Sequence, residues 1–262
     1  MNRRVGIQIP PQGASFEALR DAWLHAEELG VDTVWTWDHF FPLWGDPDAE
    51  HFEGWSLLAG MAAATERAEL GVLVTCNGYR NPNLLADIAR TVDHISSGRV
   101  ILGIGAGWNE RDYEEYGYEF GTPGSRVQAL ERAMPVLLER LGRLNPPPVR
   151  GRLPILMGGG GEQIFLPLVA KYADEWNFVG EPDWIARKAG VLEEHCRAIG
   201  RDPGEIVRSV LVPRPGAVED ADAYAEIGVT HLIVTVAAPE FDFGPAHELL
   251  AWRDAATGRS AG

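Results

Sequence analysis

Lysine is nearly missing from this sequence: Lys171 and Lys188 are the only two, so arginine supplies 21 of the 23 basic residues. Positive charge of any kind is scarce, with 23 Lys and Arg against 38 Asp and Glu and a net charge of −15. Such a surface repels phosphate backbones and anionic lipid, which excludes nucleic-acid binding and membrane-surface attachment as leading functions. Cysteine is as sparse. Cys76 and Cys196 lie far apart in no CxxC pattern, which argues for a reducing compartment and against a disulfide framework or a structural zinc. No stretch approaches the roughly 18 apolar residues of a membrane span. The opening MNRRVGIQIPPQG is interrupted by Gln8 and stopped by Pro10 and Pro11, so it offers no signal-peptide core. The expectation is a soluble cytoplasmic protein. The arginine-heavy, lysine-poor balance reads as the coding bias of a GC-rich genome.

What is present is a rhythm. Short β-branched runs alternate with amphipathic stretches: RVGIQIP from Arg4, TVWTW (33–37), ELGVLVT (69–75), RVILGIG (99–105), LPILMG, EWNFVG, EIVRSVLV and THLIVTV, each followed by a helical pattern. The strands are near-continuous apolar runs, as parallel strands buried on both faces are. Eight strand–helix units predict a single α/β domain over residues 1–262, a (β/α)8 TIM barrel, with an open doubly wound sheet as the competitor. Pro135 lies inside the helical pattern of residues 126–141, where a bend or break is expected. The only proline-rich stretch, NPPPVRGRLP (145–154), reads as a surface loop before the fifth strand.

In such barrels the chemistry sits at the C-terminal ends of the strands. Three strand ends are informative, whereas Pro213, after the seventh, carries no motif. After the fifth, Gly158, Gly159, Gly160 and Gly161 precede a helix expected to begin at Glu162. Glycines let a backbone approach a ligand, and a helix N-terminus favours an anion, so a phosphate site is the reading; a tight turn rarely needs four glycines. No GK[ST] follows, and the run is not GxGxxG. After the second strand, WTWDHFFP gathers Asp38, His39 and aromatic rings. Histidine handles protons near neutral pH, and rings wall off water. The blander alternative is a core aromatic cluster with a solvent-facing Asp-His. Both residues reach one site only if the chain is already turning there, since neighbours on a strand point to opposite faces. After the fourth strand, GIGAGWNERDYEEYG offers Gly107, Trp108 and Asn109. Asn109 caps the short helix that follows, or donates its amide to a ligand. Arg80, in TCNGYRNP, meets an anion or pairs with the acidic surface. GxSxG, HExxH and paired metal-ligand histidines are all absent.

Together these segments resemble the luciferase-like monooxygenase superfamily, and within it the branch that uses the deazaflavin coenzyme F420. GIQIP, WTWDHFFP, the block from ELGVLVTCNGYRNP to ILGIGAGWNE, and ILMGGGGEQIFLPLVAKYADEWN occur in the family's order over most of residues 4–180. The resemblance implies a luciferase-like barrel with a shortened insertion before strand five. It implies that Asp38 and His39 stand beside the cofactor ring with His39 exchanging the proton. It further implies a non-prolyl cis peptide at Leu73–Val74 against the ring, Thr75 and Asn77 on the same wall, Gly107, Trp108 and Asn109 near the ring or its chain, and phosphate held by the amides of Gly158 to Gly161. A homodimer and an actinobacterial source are also implied. Ala106 replaces the Glu of members that take glucose 6-phosphate, so that substrate is not expected. Leu43 takes the place of a family Trp, which comes one residue later as Trp44, and Gln163 stands where many members carry a basic residue. The leading function is an F420-dependent oxidoreductase moving a hydride to or from a small organic substrate. The alternatives are an FMN-dependent monooxygenase and a non-catalytic flavin- or F420-binding barrel. An unrelated phosphate-binding lyase or isomerase would want a catalytic lysine, and both lysines fall on helical stretches.

Overall fold

A computed structural model describes residues 3–212 and 217–257; Pro213 lies outside them. The strands are β1 (Arg4–Gln8), β2 (Thr33–Thr36), β3 (Glu69–Val72), β4 (Thr75–Cys76), β5 (Val100–Gly105), β6 (Ile155–Gly158), β7 (Glu175–Val179), β8 (Val207–Leu211) and β9 (His231–Thr235). The helices are α1 (Phe16–Glu28), α2 (Gly54–Ala64), α3 (Pro82–Ile95), α4 (Glu110–Tyr116), α5 (Pro123–Arg143), α6 (Phe165–Tyr172), α7 (Pro182–Ala198), α8 (Ala221–Glu226) and α9 (Gly244–Thr257). Every pairing between these strands is parallel, β1 meets β9, and β3 and β4 both pair with β5. Counting β3 and β4 as halves of one stave, eight staves close into the expected barrel.

The staves are apolar throughout because both faces are covered. Outward residues such as Val5, Ile7, Val34, Leu70 and Val72 pack with helix residues Leu19, Trp23, Leu58 and Met61. Inward residues Trp35, Leu73, Ile101, Leu156 and Ile233 fill the barrel's waist. Below them lies a polar plug built from residues that begin their strands. Trp35 Nε1–H donates to Thr33 Oγ1 at 2.7 Å, Thr33 Oγ1 meets His231 Nε2 at 2.9 Å, and His231 Nδ1 meets Glu175 Oε1 at 2.8 Å. Arg4 ion-pairs with Glu69 and, at 3.8 Å, with Glu175.

Three local expectations change. α5 runs unbroken through Pro135, because its buried stripe of Leu130, Met134, Leu137 and Leu141 holds the helix across the missing hydrogen bond. α6 starts at Phe165 rather than Glu162. Glu162 is instead drawn to the Lys188 ammonium at 2.8 Å, and residues 162–164 form a turn. The third stave is interrupted at Leu73–Val74, whose peptide bond is cis.

Candidate active site

A cavity of about 620 Å³ opens at the C-terminal ends of the staves. That volume suits a small-molecule or cofactor site. Its floor is the top interior layer of the barrel, with Gln8, Leu73, Val74, Gly105, Asn177, Leu211 and Thr235. Gln8 fixes part of this floor by donating Nε2–H to the Leu73 carbonyl at 3.0 Å.

The interruption of the third stave decides what faces the cavity. Along β3, Leu70 and Val72 point to the helices and Leu73 to the interior, so an unbroken strand would turn Thr75 inward. Val74 joins Leu73 at the interior instead, and the alternation slips by one. Thr75 faces outward, accepting the Trp55 Nε1–H at 3.1 Å, and Cys76 takes the cavity position. Thr75 is therefore no part of the wall. Asn77, in the short turn that follows, does not line the cavity either.

Asp38 and His39 both reach the site, because β2 ends at Thr36 and the chain is already turning. Their environments differ. Asp38 accepts two hydrogen bonds from Arg80, at 2.6 and 2.8 Å, and one from the Cys76 N–H at 2.9 Å. Burial pushes its carboxyl up against the pull of that guanidinium. Arg80 also pairs with Glu53, so it is an internal clamp and not an anion receptor.

His39 Nδ1 lies 2.6 Å from Asp112 Oδ2. Asp112 is fully buried and also accepts from Tyr79 OH at 2.8 Å, Asn109 Nδ2 at 3.0 Å and the Phe40 N–H at 3.1 Å. Burial raises its carboxyl, yet the hydrogen bonds from His39, Tyr79 and Phe40 more than offset this and hold it below the ordinary range. An ionised carboxylate only accepts, so Nδ1 carries the proton toward Asp112 and Nε2 is the nitrogen left for the cavity. Asn109 occupies the N-cap position of α4 without capping it, and it does not line the cavity: its amide is spent on Asp112.

Trp37, Trp44 and Trp108 surround this histidine, with Trp37 and Trp108 edge-on to it at centroid distances of 5.6 and 5.3 Å. Trp37 Nε1–H donates to His51 Nε2 at 3.3 Å, and burial pushes His51 down to about 4. The Cys76 thiol, 3.0 Å from Tyr113 OH, is pushed up by burial to about 11 and is no thiolate nucleophile. Gly107 has φ +82°, and a Cβ there would strike Cys76 Sγ and Tyr113 OH. Opposite, Gly158, Gly159, Gly160 and Gly161 line the cavity with backbone. A Cβ on Gly160 would enter the Phe178 ring. Of the residues singled out in the sequence, Asp38, His39, Leu73, Val74, Gly107, Trp108 and the four glycines meet in one cavity. Cys76 and Asn177, both expected at strand ends, join them, Gln8 and Tyr79 do so unforeseen, and Asp112 lies directly behind.

The luciferase-like monooxygenase profile matches residues 3–260. The chain belongs to this family. Among curated relatives of this luciferase-like chain is a phthiodiolone/phenolphthiodiolone dimycocerosates ketoreductase of Mycobacterium sp. (strain JLS), 30% identical over 242 residues and 79% of the chain. The chain spans 63% of that relative's length, less than two thirds. Among solved structures, an F420-dependent secondary alcohol dehydrogenase in complex with an F420-acetone adduct superposes with a TM-score of 0.82 at 16% identity, covering 100% of both chains. The oxygenating constituent of a Pseudomonas putida 3,6-diketocamphane monooxygenase, in complex with FMN, gives 0.66 at 18% identity over 80% of this chain and 67% of its own. At these identities the structural likeness establishes the luciferase-like barrel. Among the described residues, no helix is long and apolar enough to cross a membrane, and no cluster of potential metal ligands is present.

Proposed function

We propose that this luciferase-like protein is an F420-dependent oxidoreductase that moves a hydride between the deazaflavin and a small organic substrate. The observation that carries this reading is the Asp112-held imidazole of His39, facing an apolar cavity whose opposite wall is glycine backbone. The residues fit a planar cofactor with a phosphate. Leu73 and Val74 offer an apolar surface for a ring, Gly107 and Trp108 flank it, and Gly158 to Gly161 present main chain along the opposite wall, with no room for a Cβ at Gly158 or Gly160. A deazaflavin, with carbon in place of the reactive flavin N5, supplies two-electron hydride exchange.

The chain's own work is orientation and proton handling. Asp112 fixes the tautomer and the plane of His39. Nε2 then takes the proton of an alcohol or, when protonated, gives one to a carbonyl oxygen. Asp38, with both oxygens engaged, is a positioning residue that ties the second stave to the third through Cys76 and Arg80. The mycobacterial ketoreductase and the alcohol dehydrogenase support carbonyl–alcohol exchange as the reaction class.

The test is a titration of the purified chain with F420 and, separately, with FMN, following quenching of its tryptophans, three of which line the cavity. Tighter binding of F420, weakened at least tenfold by Gly160→Leu with the circular-dichroism spectrum unchanged, is expected. Tighter binding of FMN would overturn the deazaflavin assignment in favour of a monooxygenase. Binding of F420 with no turnover of any ketone or secondary alcohol would favour a non-catalytic barrel, and turnover unchanged in His39→Gln would remove His39 from the proton role. The homodimer belongs to the same reading, and sedimentation equilibrium tests it.

A further inference from the structure

The mouth of the cavity is unusually apolar for a surface. Trp44 is 48% exposed, Trp108 64% and Val179 48%, and all three line the cavity together with Leu43, Val127 and Phe178. Large hydrophobic side chains left in water around a concavity mark a ligand surface more often than chance exposure. Among the described lining residues there is no Lys or Arg. The one lining carboxylate, Asp38, is fully occupied by Arg80 and the Cys76 N–H, which leaves His39 Nε2 as the proton-exchanging group. A phosphorylated or carboxylated substrate would meet here no cationic Lys or Arg side chain among the described residues, within a protein of net charge −15.

We infer that the substrate is an uncharged ketone, or the matching secondary alcohol, whose hydrocarbon substituent lies in the mouth between Trp44, Trp108, Val127 and Val179. The inference rests on the proposed oxidoreductase reading and adds the substrate class. In the reducing direction, a bound reduced deazaflavin would supply the hydride and its electron pair that form the C–H bond at the carbonyl carbon. The π pair of the C=O bond moves to oxygen, which takes its proton from His39 Nε2. The oxidising direction is the reverse.

The experiment uses the cofactor-free chain, so that it reads the mouth and not turnover. Straight-chain 2-ketones from butanone to octanone, and keto acids of equal length, are titrated by ligand-observed NMR and tryptophan fluorescence. Affinity for the ketones should rise about two- to fourfold per added methylene, and each keto acid should bind at least tenfold more weakly than its ketone. Val179→Arg, at an exposed rim position, should narrow or invert that discrimination. Keto acids that bind as well as ketones, or an affinity independent of chain length, would overturn the substrate class. F420 titration of the same sample separates the two readings. F420 binding without a ketone gradient overturns the substrate class alone, and a gradient without F420 binding overturns the cofactor assignment alone.

Discussion

At the scale of single residues, the decisive pair is His39 and Asp112, which are 73 positions apart and 2.6 Å from each other. Three hydrogen bonds converge on one oxygen of Asp112, from His39, Tyr79 and Asn109. Asparagine at that place keeps the size but turns an acceptor-only group into one that also donates. Asp112→Asn should therefore release the His39 tautomer and lower kcat about 10²-fold, with KM and cofactor affinity within about threefold. Steady-state kinetics beside the tryptophan titration checks both halves. Equal losses in cofactor affinity would mean that Asp112 only supports the wall. In the sequence this residue is one acid in ERDYEEYG, a stretch that reads as a solvated helix face. Nothing local separates Asp112 from Glu114 or Glu115, because the groups that hold it, His39, Tyr79 and the Phe40 N–H, come from other staves.

At the scale of elements, the strand–helix alternation was legible because staves buried on both faces must be apolar along their whole length. The wall of the site was less so. Counting alternate residues along ELGVLVT turns Thr75 inward, but Leu73 and Val74 both face the interior and the phase reverses before Thr75. A one-residue slip moves every later side chain to the other face, and no residue type announces it. α6 likewise begins three residues late, because the Glu162 partner, Lys188, belongs to the next helix. Elsewhere a single buried side chain closes an element. Arg99 spends all five donors on the Ala62, Thr65, Ala68 and Ser96 carbonyls and the Thr65 hydroxyl, sealing the end of α2 against β5. Lysine cannot match a planar five-donor fork. Arg99→Lys should cost about 2–4 kcal/mol in urea unfolding, and a loss under 0.5 kcal/mol would show that water replaces the missing bonds.

At the scale of the whole molecule, the two ends of the barrel carry different duties. The cavity occupies one end, and the plug of Arg4, Thr33, Glu69, Glu175 and His231 joins β1, β2, β3, β7 and β9 at the other. Burial raises the Glu175 carboxyl, but His231 and Arg4 more than offset this and hold it below its ordinary 4.5. A carboxyl depressed in the folded state stabilises above its unfolded pKa, and that contribution is lost as pH falls through the folded one. Glu175→Gln should thus lower stability by about 2 kcal/mol at pH 7, and the gap from the parent should close as pH is taken below about 4. Thermal melts across that range check it. A gap that widens in acid would mean that Glu175 is protonated in the folded protein. Activity at permissive temperature should be unchanged, since the plug lies beneath the apolar waist and not on the cavity.

The glycine wall has a consequence for how this protein tolerates change. A wall proposed to hold its ligand through main chain has nothing for truncation to remove, and alanine itself is an addition there: its Cβ would press on Val74 at Gly158 and enter the Phe178 ring at Gly160. Damage there comes only from atoms gained. Random mutagenesis should accordingly give a lopsided map: around His39 the harmful changes are losses, and along this wall every harmful change is an addition.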